Sequence, residues 1–308
     1  MKPKHIIESQ QFNVPFITEL FASAQRMEKT AAKGGTQDYN NKIMASLFYE
    51  PSTRTRFSFE TAMHRLGGRI LSTENAQEFS SAIRGESLED TIKVISHFVD
   101  AIVLRHNEIG GAKRAAEVSS VPVINAGDGK GGQHPTQALT DLFTIYKEIK
   151  TIEGLNIALV GDLAQGRTVR SLAYLLSKYE RVKIFFVAPE KLQIHEDICK
   201  HLEENEIWFT KENDLRKIIG EVDVVYQTRI EKENLKVTES EYEKIMESFY
   251  IDSKMMQKLK QSAIVMHPLP RLKEISPEVD TDKRSAYFRQ AQNSIYIRMA
   301  LLASVMEG

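Results

Sequence analysis

Short runs of β-branched and apolar residues return again and again along this chain, with helix-like segments between them. That alternation limits the possible folds more than any other feature. A run that is apolar throughout reads as a strand buried on both faces, and parallel neighbours need a crossover long enough to hold a helix. The order therefore predicts α/β architecture with parallel sheets. In the first half the runs are 42–48, 69–73, 101–104 and 121–125. In the second they are LNIALVG, VKIFFVA, EIWFT, VDVVYQ and AIVMH, starting at Leu155, Val182, Glu206, Val222 and Ala263. Helices are expected from about Pro15, from Thr53 to the stop at Gly67-Gly68, and after the hydroxyl cap Ser87.

Between the two series lies Thr136 to Ile149, with Leu139, Leu142, Phe143 and Tyr146 at helical spacing. It reads as a connector, so two doubly wound parallel-sheet domains are expected, 1–149 and 150–284. The final helix, 285–308, is expected to return to the first. A length of 308 residues suits two domains of ordinary size. Lys and Arg number 41 against 42 Asp and Glu, a net charge of −1, which gives no reason to expect nucleic acid as a partner. Cys199 is the only cysteine, so neither an internal disulfide nor a cysteine zinc site is expected, and a reducing, cytoplasmic setting is. No apolar run approaches the ~20 residues of a membrane span, and the first residues do not read as a signal peptide.

Parallel sheets bind ligands beyond the carboxyl ends of their strands, so the residues that follow each run carry the functional information. After the first run come Ser52-Thr53-Arg54-Thr55-Arg56, hydroxyls and guanidiniums at a helix start that favours an anion. A plain capping role for Ser52 is the alternative. Arg105 ends a second run and can offer phosphate a fork of donors. The glycine-rich loop GDGKGGQ leads to His134-Pro135-Thr136-Gln137, where His134 and Gln137 stand about one helical turn apart. In the second series, Gly161 to Arg167 follows LNIALVG but lacks the G-x-G-x-x-G spacing of a dinucleotide loop, and its arginine suits a carboxylate better. Thr228-Arg229 and His267-Pro268-Leu269-Pro270-Arg271 follow two further runs. Together these residues suggest a phosphate pocket in one domain facing arginines from the other, suited to transfer from a phosphorylated donor to a polyanionic acceptor.

The three motifs Ser52–Arg56, His134–Gln137 and His267–Arg271, in this order, resemble the aspartate/ornithine carbamoyltransferase family. His-Pro-Leu-Pro stands where ornithine enzymes typically carry a Cys, which favours the aspartate branch. The resemblance implies a carbamoyl-phosphate domain, an aspartate domain, and a homotrimer with shared active sites. It implies that Ser52, Thr53, Arg54, Thr55 and Arg105 bind phosphate, and that Thr55, Arg105 and His134 donate to the carbamoyl oxygen. Gln137 and the carbonyls of Pro268 and Leu269, with Pro270 fixing the turn, would meet the carbamoyl NH2. Arg167 and Arg229 would hold the carboxylates of aspartate, and Ser80 and Arg84 would reach in from a neighbouring subunit. No covalent nucleophile, metal or cofactor is implied. A regulatory chain or a dihydroorotase is a possible partner.

Two positions depart from the family pattern. Arg84 replaces the usual Lys, and Glu231 replaces the usual Gln near the aspartate amino group. A carboxylate there is expected to raise the pKa of the attacking amine and shift the rate profile to alkaline pH. These departures leave two alternatives open: a weakly active homologue serving as an assembly or binding subunit, and a carbamoyltransferase with another amine acceptor.

Overall fold

The computed structural model describes residues 3–74 and 85–307 and divides the chain into two compact units, 1–140 with 292–308, and 141–291. The boundaries differ from the expected 149/150 and 284/285. They fall inside helices, because Pro135–Ile149 and Tyr287–Met306 each run unbroken across a unit boundary.

In the first unit the runs form β1 (Ile43–Phe48), β2 (Arg69–Glu74), β3 (Ala101–Arg105) and β4 (Val123–Asn125), all parallel in the order β2-β1-β3-β4. β1 and β3 are fully apolar apart from Ser46 and Arg105 and almost wholly buried, as central strands covered on both faces must be. Ala45, Leu47, Ile102, Leu104 and Val123 make the core with Ile92 and Ala115 from the crossover helices Leu88–Ile95 and Gly111–Val118. The end of the last helix belongs to this unit: Arg298 lies buried over the Phe59 ring at 4.6 Å, and Tyr39 donates to Glu307.

The second unit contains β5 (Asn156–Val160), β6 (Lys183–Val187), β7 (Trp208–Glu212), β8 (Val224–Gln227) and β9 (Ile264–Met266), parallel in the order β7-β6-β5-β8-β9. Its core joins Ala158, Val160, Phe185, Val225 and Val265 to Phe249, Met255 and Tyr287. Three short helices, Lys232–Leu235, Glu239–Met246 and Ser253–Lys258, fill the long crossover from β8 to β9. Capping of the longer two is visible in the sequence, with Thr238 accepting from Glu241 N and Asp252 from Met255 N.

Candidate active site

In the first sheet the chain leaves β1 for β2 on one side and returns to β3 on the other. Connections diverge there, opening the crevice in which parallel sheets take ligands. The segments after β1 and β3 border it. They are held in register by the pairing of Phe48 with Arg105 and by Tyr49 N donating to Arg105 O at 2.9 Å.

Ser52 is the N-cap residue of helix Thr53–Arg65, but its hydroxyl makes no capping bond. The capping alternative is therefore not its role. The helix ladder starts with Arg56 N donating to Ser52 O at 3.1 Å, and the amides before it have no carbonyl four residues back to bond. Those amides, at the positive end of the helix dipole, could accept an anion. Ser52 is half-buried, Thr53 and Arg54 exposed, and Thr55 buried.

Arg105 is 7% exposed and forms an ion pair with Glu50, Nη2 to Oε2 at 2.8 Å, while Nη1 donates to Ala126 O at 3.3 Å. Gly127 explains how the guanidinium fits. A Cβ there would stand 2.7 Å from Arg105 Nη1 and 3.6 Å from His134 Cδ2, and φ is +123°, which L side chains rarely adopt. The same figures show that the fold brings Arg105 and His134, widely separated in sequence, to one glycine. His134 is buried directly before helix Pro135–Ile149, and its carbonyl accepts from Gln137 N at 3.1 Å.

The second sheet repeats the logic at β5 and β8, where the connections again diverge. Arg167 is the first residue of helix Arg167–Leu176, and Arg229 lies two residues past β8. Both are half-buried. Asp162 N donates to Arg229 O at 3.0 Å, and Thr228 Oγ1 donates to Val160 O at 2.8 Å, so the two loops are stitched together. Gly161 permits this closeness, since a Cβ on it would stand 2.6 Å from the Thr228 carbonyl oxygen. Asp162 also accepts from Gln165 N at 3.0 Å and Asn234 Nδ2 at 2.7 Å. Arginines on two joined loops are suited to a dicarboxylate.

Glu231, expected near the aspartate amino group, pairs with Arg229 Nη2 at 2.8 Å. Past β9, Pro268, Leu269 and Pro270 form a turn with a cis Leu269–Pro270 bond, and Leu269 has φ 55°. Arg271 is structural, tied to Asp280 and donating to Tyr287 OH at 3.0 Å. Ser80 and Arg84 lie outside the described residues. Among the described residues no cluster of His, Cys, Asp or Glu could hold a metal, and no helix is long and apolar enough to cross a membrane. Sequence reasoning missed Glu50, Asp162 and Asn234. The first two stand beside strand ends already singled out, which was a usable signal; Asn234 carried none.

Two family models match the chain: the carbamoyl-phosphate-binding domain of aspartate/ornithine carbamoyltransferase over residues 4–147, and its aspartate/ornithine-binding domain over 153–305. A chloroplastic aspartate carbamoyltransferase of Oryza sativa subsp. japonica is 50% identical, covering 98% of this chain and 85% of the relative. The aspartate carbamoyltransferase catalytic subunit of Thermoplasma volcanium is 45% identical over 99% of both chains. Among solved structures, the catalytic subunit of M. jannaschii aspartate transcarbamoylase superposes with a TM-score of 0.92 at 45% identity, covering 99% of this chain and 98% of that one. Aspartate transcarbamoylase from Trypanosoma cruzi, solved with N-(phosphonacetyl)-L-aspartic acid, gives 0.92 at 38% identity, covering 99% and 96%. These matches run through both units and all three motifs, and the chain belongs to the aspartate/ornithine carbamoyltransferase family.

Proposed function

We propose that the chain transfers the carbamoyl group of carbamoyl phosphate to the amino group of L-aspartate, giving N-carbamoyl-L-aspartate and phosphate, a step of pyrimidine biosynthesis. The observation that carries this reading is that the loops bearing Arg167 and Arg229 are bound to each other at the β5/β8 divergence, so that two arginines stand on adjoining strand ends. The amine nitrogen attacks the carbamoyl carbon, the bond from that carbon to the phosphate oxygen breaks, and the amine's proton passes to the departing phosphate. Negative charge grows on the carbamoyl oxygen meanwhile. Thr55, Arg105 and His134 are its donors, each worth roughly 3 kcal/mol when preorganised. Ser52, Thr53, Arg54 and the helix amides take the phosphate, while Gln137 and the carbonyls of Pro268 and Leu269 orient the NH2. Holding two anions together also supplies a proximity term of up to about 7–11 kcal/mol.

The test is product formation from carbamoyl phosphate with L-aspartate and, in parallel, L-ornithine. N-carbamoyl-L-aspartate alone supports the reading, and product from neither overturns it. A different acceptor draws support from one observation: Glu231 already neutralises Arg229. Strong competition by succinate would exclude an acceptor with a single carboxylate. We extend the proposal to a homotrimer whose subunits share sites through Ser80 and Arg84, and to a cytoplasmic location. Sedimentation of the purified chain tests the first and cell fractionation the second, the chloroplast named for the plant relative being the alternative.

A further inference from the structure

Beyond β9 the second unit contains a buried dyad that the reaction above leaves unused. His267 and Glu274 are 2% and 3% exposed, with Nε2 of one 2.8 Å from Oε1 of the other. The second ring nitrogen, Nδ1, accepts the backbone N–H of Leu269 at 2.8 Å. A nitrogen that accepts carries no proton, so the proton sits on Nε2 and is donated to the carboxylate. Burial holds His267 below the ordinary histidine range; Glu274 opposes this, and Arg229 and Arg271 reinforce it. Burial pushes Glu274 up, but the bond from His267 leads the contacts that bring it below the ordinary carboxylate value. The dyad is a neutral imidazole on a carboxylate.

The imidazole holds the turn that follows it. In Pro268-Leu269-Pro270 neither proline has an N–H, so Leu269 supplies the turn's one backbone donor, and His267 takes it. Leu269 has φ 55°, a left-handed conformation that a branched side chain adopts only where its surroundings impose it, and such positions cluster at functional sites. Glu274 in turn holds the ring, and its Oε1 also accepts from Leu272 N at 3.1 Å. The end of β9 has a separate anchor. His267 N donates to Gln290 Oε1 at 2.8 Å, Gln290 donates to Asp141 at 2.7 Å, and Tyr226 OH donates to Asp141 at 2.8 Å. Loss of Glu274 would thus free the ring without freeing the strand.

We propose that Glu274 is a positioning residue: by holding His267 in its Nε2–H form it fixes the Leu269 amide, and so aims the Pro268 and Leu269 carbonyls at the carbamoyl NH2. The inference rests on the function proposed above. It makes Glu274 a determinant of selectivity for the amide end of the donor.

Two stable probes isolate that selectivity. Phosphonoacetamide carries the carbamoyl C=O and NH2 on a phosphonate, and its methyl-ketone counterpart replaces NH2 by CH3. Calorimetric affinities for both are measured with the full chain, with Glu274→Ala and with Glu274→Gln, whose amide oxygen can still accept from Nε2. The wild-type protein is expected to prefer the amide, and Glu274→Ala to lose about tenfold of that preference, as removal of a hydrogen-bonding contact would give. Ketone affinity should stay unchanged and Glu274→Gln should restore the preference. Nitrogen-15 spectra should show His267 as the Nε2–H tautomer in wild type and as a mixture in Glu274→Ala. An unaltered preference in Glu274→Ala, or an equal loss for both probes, overturns the proposal. If Glu274→Ala does not fold, Glu274→Ser takes its place under the same criteria. The two failures differ: a wild-type protein that forms no N-carbamoyl-L-aspartate refutes the function, whereas an active one whose Glu274→Ala variant keeps its preference refutes only the role of Glu274.

Discussion

Arg105 is a buried guanidinium whose charge is matched by Glu50 and whose position depends on a missing Cβ at Gly127. Gly127→Ala combines a steric contact with a left-handed backbone, and is expected to cost about 1–2 kcal/mol of stability. It should also lower phosphate affinity at least tenfold, which titration calorimetry beside a urea melt would reveal. Glu231 poses the opposite case. Its charge is matched by Arg229 before substrate arrives, so the expected alkaline shift depends on Glu231 leaving that arginine. Competition follows too, because a carboxylate bound to Arg229 would have to displace Glu231. The pair is more than a third exposed, so the effect is modest, on the order of 1 kcal/mol or less. Glu231→Gln should lower KM for aspartate a few-fold and, if the displaced carboxylate acts on the amine, move the rate profile to lower pH; an unchanged profile would leave competition as its only effect.

Among the elements, the start of helix Thr53–Arg65 was legible because hydroxyls and arginines follow an apolar run directly, and the physics of a helix N-terminus needs no distant partner. Thr55→Val keeps shape and burial while deleting one donor. It should reduce kcat by roughly 10²–10³ if Thr55 serves the oxyanion, with the melting temperature little moved. The joined loops after β5 and β8 were legible only in part. Arg167 and Arg229 stood out as strand-end arginines, but the bonds from Asn234 to the Asp162 carboxylate and from the Asp162 amide to the Arg229 carbonyl close over long sequence separations that no local pattern signals. Asp162→Ala should raise KM for aspartate at least tenfold through lost orientation, and steady-state kinetics at saturating carbamoyl phosphate would measure it.

Across the whole molecule, burial depresses the pKa of His267 and His106, and of His5 and His201 as well. An unfolded histidine titrates near 6.5, so between that value and the lower native ones the unfolded chain binds more protons. Stability should therefore be complete above about pH 7 and decline as pH falls through 6.5. The carboxyls of Asp214, Asp280 and Asp282, held below 3.8 chiefly by hydrogen bonds from Arg216, Arg271 and Arg284, add a second loss under strong acid. Urea midpoints at stepped pH should show the first decline, and His267→Gln should make it shallower without abolishing it, because the other histidines contribute.

The sequence by itself determined the α/β class, the parallel sense of both sheets, and the identity of the strand-end residues. Each follows from local rules: apolar runs of strand length, helical spacing between them, and helix starts rich in anion-binding groups. Tertiary structure decided which of those strand ends lie together. The orders β2-β1-β3-β4 and β7-β6-β5-β8-β9 place the divergence at β1/β3 and at β5/β8, and nothing local to any strand specifies its neighbour. It also decided the partners of the charged side chains, pairing Arg105 with Glu50, Arg229 with Glu231 and His267 with Glu274. The physical reason is that an ion pair or a buried hydrogen bond depends on separations of a few ångströms in space, which a linear order of residues does not contain until the chain has packed.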